Sequence, residues 1–577
     1  MRNVKNLFGM AVMATALVAC SSNDDLASNG HEGNQTGEAY ASFRINLPTT
    51  NGTRAVDPKT GTEFDGGTAA EYEVKNGTIL IFDNAGNFVT SAQLGTMNPW
   101  TDVKSDGVTT AAIATVQLKD VEVGGSYQAL VLLNNDVDAT THKVTLPATK
   151  GVSYAEWSKD ASKVSVDNYT KTDYIFMANA PKYTGAASEP TTLVKVNNIC
   201  ASREEAQAKA ATTVYVERGL AKVTMEKFRT GGYSIDAGTY EGGKVEIENW
   251  KLDVTNKSTF PVHQIGTLST DYPGIWGKDR FYDGTNTTFK RVYWGIDPNY
   301  SNNELFEETT TPAPAKTALK NCQDNFNMIA NAQVDGEAGD ANPQYCLENT
   351  FNLANMKQGQ TTRVVFKAKF TPKGFSAPET FYKIGNNTAI WTKAKLEQQI
   401  KTVALTVMDI TDPDEQAMYS VDLAKGSNIS GVAGQHLIAV ENIKFDAGES
   451  TKTSKVSPAI VNTINEKLGL KEEGGKITTG ISTYLNGEAY YIARIKHFNA
   501  LTPWNPGQAY DSNDKYLGRY GVLRNNWYSL SVNTVSGLGY PEVPEVKPNV
   551  PDDENNQYIN VEVKILDWAM RKQVIDL

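Results

Sequence analysis

The sequence predicts a mainly β protein, built as sandwiches of mostly antiparallel strands with a few short helices and a terminal strand set apart from the rest. Short segments rich in Val, Ile, Thr and Tyr recur along the chain, each bounded by Gly, Asn, Asp or Pro. Clear helical signals are few. A proline-rich stretch near the end isolates one last strand-forming segment.

The chain opens with Arg2 and Lys5, continues through an apolar stretch at residues 7–18, and reaches Leu17-Val18-Ala19-Cys20. Small residues directly before a cysteine, behind a basic start and an apolar run, form a bacterial secretory signal with a lipobox. The run falls short of the roughly 20 residues a membrane span needs, so it reads as cleaved, with Cys20 carrying lipid. Residues 21–35 are polar and read as a flexible tether.

More than 550 residues follow the signal, enough for several domains. The formal charge is -11, with 66 acidic against 55 basic residues and no Lys/Arg-rich run, which argues against nucleic acid or anionic lipid as a partner. Of four cysteines, Cys20 is used for lipid, and Cys200, Cys322 and Cys346 remain. Export permits a Cys322–Cys346 disulfide, and the composition leaves that pairing open.

Strands are expected at 77–82, 109–118, 127–133, 214–223, 244–254, 362–370, 490–495 and 527–532. Helices are expected at 202–211, where Ser202 and Glu205 make a capping box ahead of alanines, and at 393–403. The domain boundary is placed between 213 and 214: residues 55–213 form one sandwich and 214–540 a larger one. Residues 541–577 are then a proline-rich linker and its strand. The segment 540–557 holds four prolines and a cluster of acids and reads as an extended leash. Beyond it, Ile559, Val561, Val563 and Ile565 alternate with Asn560, Glu562 and Lys564.

The other end shows a comparable pattern: Ala41, Phe43, Ile45 and Leu47 alternate with Ser42, Arg44 and Asn46. Directly after it, residues 48–55 run Pro-Thr-Thr-Asn-Gly-Thr-Arg-Ala, a turn-rich stretch with one basic residue, Arg54, of the kind proteases cut. The three features join into one mechanism. A groove-filling N-terminal strand, residues 21–54 with its tether, is released by cleavage between Arg54 and Ala55, and the C-terminal strand of another molecule replaces it.

These residues resemble a known family. The lipobox, Thr53-Arg54-Ala55, Val216-Glu217-Arg218, Ala221-Lys222-Val223, residues 345–351, residues 369–373, residues 523–528 and the ending 561–577 with Asp567-Trp568 are similar to the fimbrillins of Bacteroidia, the type V pilins, and within them to the Mfa-type major subunit. The resemblance implies two transthyretin-like β-sandwich domains. It also implies a lipoprotein precursor of the outer membrane that an arginine-directed protease cuts after Arg54. The product would polymerise with its own copies and with anchor and tip subunits into an adhesive surface fimbrium, with no cofactor and no catalysis. Residues 271–343 and 450–476 match nothing in that pattern.

Chemistry gives little to a rival reading as an enzyme. His31, His142, His263, His436 and His497 lack metal-ligand spacing, and neither a nucleophile elbow nor a phosphate loop is present. Glu246 with Glu248 suits a strand surface. The other rival is a monomeric surface lipoprotein that binds glycan or host protein through Trp250, Trp276, Tyr293 and Trp294. Such a binder has no use for a leashed terminal strand.

Overall fold

The computed structural model describes residues 38–48, 68–95, 101–102, 108–183, 190–275, 290–309, 317–339, 341–497, 514–553 and 559–567. The protein is mainly β, with its strands gathered into sandwiches.

The N-terminal unit is built from β1 (Ala39–Pro48), β2 (Gly77–Phe82), β3 (Phe88–Gln93), β4 (Thr101–Asp102), β5 (Val108–Leu118), β6 (Gln128–Leu133), β7 (Met177–Asn179) and β8 (Thr212–Arg218). They pair in the order β3-β2-β6-β7-β8-β1-β5-β4. β8 turns the corner between the two layers. Its first half pairs in parallel with β1, Phe43 opposite Thr212 through Asn46 opposite Tyr215; its second half pairs antiparallel with β7, Val216 opposite Asn179. Such sheet-switching strands close a sandwich without a loop. The core gathers Phe43 and Ile45 of β1 with Ile79, Ile81, Val131, Val214 and Val216. β2 and β6 are apolar on both faces because a second cluster, including Trp157, Val164 and Tyr169, covers Leu80, Phe82, Leu130 and Leu132 from behind.

Among the short helices that flank this unit are α1 (Ala69–Tyr72) and α2 (Arg203–Ala208). In α2 the Ser202 hydroxyl accepts from the Glu205 amide as the capping pattern predicts, while the Glu205 carboxylate reaches back to the Ala201 amide.

The second unit contains β9 (Ala221–Met225), β10 (Tyr233–Ser234), β11 (Lys244–Asp253), β12 (Gln344–Cys346), β13 (Arg363–Thr371), β14 (Glu488–Arg494), β15 (Asn526–Val535) and β16 (Ile559–Asp567). Two four-stranded sheets, β12-β9-β15-β16 and β10-β11-β13-β14, face each other across a core that includes Val223, Trp250, Phe366, Phe370, Tyr491, Tyr528 and Leu530. The alternating pattern of β11, buried at Val245 and Ile247 and exposed at Glu246, is that of a half-buried strand. Between β13 and β14 the chain inserts a helical cap with its own apolar cluster, around α3 (Lys393–Val407) and α4 (Pro458–Lys467).

The structure corrects the expected boundary. Residues 214–218 pair inside the N-terminal sheet, and the chain crosses to the second unit at Gly219-Leu220. Gly219 is required there: a Cβ would stand 2.1 Å from the buried Tyr169 hydroxyl. The Cys322–Cys346 pairing is also corrected. Both thiols are free and sit in separate apolar clusters, and burial pushes each up to about 12. Among the described residues no helix is long and apolar enough to cross a membrane.

Candidate assembly site

The alternation of β1 places Ala41, Phe43, Ile45 and Leu47 on the core face, where the least buried of them is 2 % exposed. Both edges of the strand are used: β8 on one side, and β5 on the other from Ala39 opposite Leu118 to Leu47 opposite Thr110. A strand paired on both sides and apolar on its inner face fills a slot, and its loss would leave two rows of unpaired backbone groups. The outward residues differ among themselves: Arg44 is exposed, while Ser42 and Asn46 are buried. The slot is thus partly roofed. Cys20, Arg54 and Ala55 lie outside the described residues.

At the other end, the expectation of a terminal strand detached from its own domain is corrected. β16 pairs antiparallel with β15, from Asn526 opposite Asp567 to Val535 opposite Ile559, so Ile559, Val561, Val563 and Ile565 sit on a strand docked in its own chain. The physical reason is the edge of β15: without β16, its outer N–H and C=O groups would have no ladder partner.

The leash is corrected as well. Residues 540–553 are extended but fastened along the second unit. Tyr540 exchanges both backbone hydrogen bonds with Tyr490, the Val543 amide donates to Asn331 Oδ1, and the Arg363 guanidinium donates to the Pro544 carbonyl at 2.7 Å. Val546 is buried against Val254, Leu305 and Phe326. The last fixed points are two buried acids. Asp552 Oδ2 accepts from the Thr361 hydroxyl at 2.9 Å, and Asp553 pairs with Arg519 at 2.7 Å while accepting from the Tyr520 hydroxyl at 3.0 Å.

Residues 482–574, which span β14, β15 and β16, match the family model described as major fimbrial subunit protein type IV, fimbrillin, C-terminal. The chain carries a fimbrillin C-terminal region. No curated protein matches this chain in sequence. Three solved structures are distantly similar. A candidate cell adhesion protein from Parabacteroides distasonis is 10% identical, with 92% of this chain and 99% of that one covered at a TM-score of 0.34. A fimbrial assembly protein from the same organism is 13% identical over 57% and 95%, at 0.22. A candidate adhesin from Bacteroides thetaiotaomicron is 11% identical over 37% and 55%, at 0.17. The assignment rests on the C-terminal match.

Four of the segments that carried the resemblance, 216–218, 221–223, 345–351 and 523–528, converge in space where the two sandwiches meet. β9 lies between β12 and β15, with Lys222 opposite both Tyr345 and Trp527. The Lys222 ammonium stands 3.7 Å from the Trp527 ring centroid and 2.9 Å from Glu71 of α1, with both ion-pair side chains almost wholly buried. The Tyr345 hydroxyl also donates to Glu71, and Arg218 Nε donates to the Glu71 carbonyl at 2.7 Å. Burial opposes ionisation of Glu71, but the bonds from Lys222 and Tyr345 outweigh it and hold the carboxyl below its usual value. Deeper in the junction, Arg524 pairs with Glu348 at 3.1 Å, and His263 Nδ1 lies 2.7 Å from Glu217.

Glu71 is the functional-looking residue that sequence reasoning missed, because its partners lie 151 and 274 positions away. The aromatic platform does not form. Trp250, Tyr293 and Trp294 are buried, and Trp276 lies outside the described residues. Among the described residues no group of three or more His, Cys, Asp or Glu is placed to hold a metal ion.

Proposed function

We propose that the chain is the stalk subunit of an adhesive surface fimbrium, exported as a lipoprotein at Cys20, cut between Arg54 and Ala55 by an arginine-directed protease, and polymerised by strand exchange with its own copies. The observation that carries this reading is the position of β1. A strand held by neighbours on both sides, and followed at once by the segment containing Arg54, leaves an apolar groove with unpaired edges when it is cut free and departs. The terminal strand carries four alternating apolar residues, Ile559, Val561, Val563 and Ile565, to fill it. Burying four such side chains is worth on the order of 6 to 12 kcal/mol before entropy, enough to hold a filament of non-covalent joints. Anchor and tip subunits would share the same joint. The burial of Trp250, Tyr293 and Trp294 speaks against a monomeric glycan binder that would use them as a platform.

Cleavage of the purified precursor with an arginine-specific protease tests the reading. Wild type is expected to form ladders on unheated gels, with subunits beginning at Ala55, whereas Arg54→Ala stays monomeric and folded. Ladders from the uncut variant, or polymers that retain residues before Ala55, would overturn it.

A further inference from the structure

The groove occupied by β1 has a roof. α2 crosses its outer face: the Ser42 hydroxyl donates to the Ala206 carbonyl at 2.8 Å and shares a second hydrogen bond with the Thr115 hydroxyl at 2.8 Å. Ser42 is 6% and Ala206 1% exposed. Just upstream, Tyr40 and Cys200 exchange backbone bonds in both directions, and the Arg203 guanidinium lies 5.7 Å from the Tyr40 ring centroid. The roof is attached independently of β1, because Arg203 Nη1 donates to the Thr115 carbonyl of β5 at 2.8 Å. When β1 leaves, α2 stays, and the Ala206 carbonyl, both Cys200 backbone groups and the Thr115 hydroxyl lose a partner.

We propose that the roof fixes a single register for the entering strand of a second copy: residues 558–565 replace residues 40–47 one for one and in the same direction, with Asn560 beneath α2. This rests on the strand-exchange reading. The position under α2 accepts a short side chain that both donates and accepts a hydrogen bond, as Ser42 does, and an asparagine amide does the same. In this register Tyr558 falls where Tyr40 lies under Arg203. The four apolar residues fall on Ala41, Phe43, Ile45 and Leu47, and Glu562 falls on exposed Arg44. Lys564 takes the place of Asn46, which is buried beside exposed Arg44 and partly exposed Tyr215, so its stem would have to run past the Tyr215 ring to bring the ammonium to solvent. The bulk that Ile559 adds at Ala41 is given back by Val561 at neighbouring Phe43, so the total core volume hardly changes.

Other registers fail at the roof. A one-residue slip turns the apolar face outward. A two-residue slip brings either the Tyr558 ring or the Glu562 side chain under α2, and reversal brings Lys564, each longer than the serine-sized space beneath the Ala206 carbonyl admits.

Cysteine cross-linking of cut, full-length subunits reads the register directly, since Ser42 faces Thr115 and Arg44 faces Ile113 across β1 and β5. Thr115→Cys is expected to form an intermolecular disulfide with Asn560→Cys, and Ile113→Cys with Glu562→Cys. Thr115→Cys paired with Glu562→Cys or Lys564→Cys is expected to give none. Normal ladders in which Thr115→Cys links to position 562 or 564 would overturn the register while leaving strand exchange standing. If the unsubstituted protein forms no ladders, exchange itself fails and the register with it. Asn560→Ser should keep ladders and Asn560→Lys should lose them, with monomer melting unchanged in both; full-length ladders from Asn560→Lys would show that α2 does not select.

Discussion

Asp297 is a carboxylate enclosed by the second unit, 2 % exposed, where it accepts from the Asn299 and Thr350 amides at 2.6 Å each. Burial outweighs those bonds and pushes its carboxyl up to about 7. A carboxyl raised in the folded state binds a proton that the unfolded chain has already released. Its contribution is therefore complete below about pH 4 and lost as pH rises through 7. In chemical denaturation from pH 4 to 8, Asp297→Asn should flatten the decline of stability by on the order of 4 kcal/mol across that window, at a cost of about 1 kcal/mol at pH 4 for the hydrogen bond lost. An unchanged slope would place the titration elsewhere. Neither Asp297 nor Glu71 was legible in the sequence, because each owes its character to burial or to partners brought close only by the fold. Ser42 was legible as an outward strand residue, and its burial was not, since α2 arrives from more than 160 residues downstream.

At the scale of elements, period-two alternation in β1 and β11 was readable because each has one face turned toward a core. The helix α4 was missed although Ser457 caps it and Pro458 stands at its first position, a start signal as good as that of α2. Its surroundings, rich in Lys, Thr, Ser and Gly, drowned the pattern. The docking of β16 was missed for a different reason: alternation tells that a strand has a partner, not whose chain supplies it. Because β15 gains its outer ladder from β16, deletion of residues 559–577 should lower the thermal midpoint of the uncut subunit by about 5 °C or more in calorimetry. An unaltered midpoint would mean that β16 does not rest on β15 in solution.

At the scale of the whole molecule, two sandwiches meet through Glu71, Lys222, Tyr345 and Trp527, and the first and last described strands sit on different sandwiches: β1 in the first and β16 in the second. The mainly β class was readable from the short, turn-bounded strand segments; the helical cap between β13 and β14 was not, because its cluster forms from short pieces of both strand and helix. The fastening of residues 540–553 has a mechanical consequence for a filament built as proposed. Tension along the fibre would enter each subunit at Asp553, where Arg519 and Tyr520 hold it, and pass through Asp552 and Thr361 into the base of β13. The chain before that point would be shielded from the pull. In single-filament stretching, Asp553→Ala should release slack at lower force, adding up to roughly 45 Å per joint as the stretch from 541 to 553 peels away. Equal extension curves for the variant and the wild type would put the point of attachment somewhere other than this pair of acids.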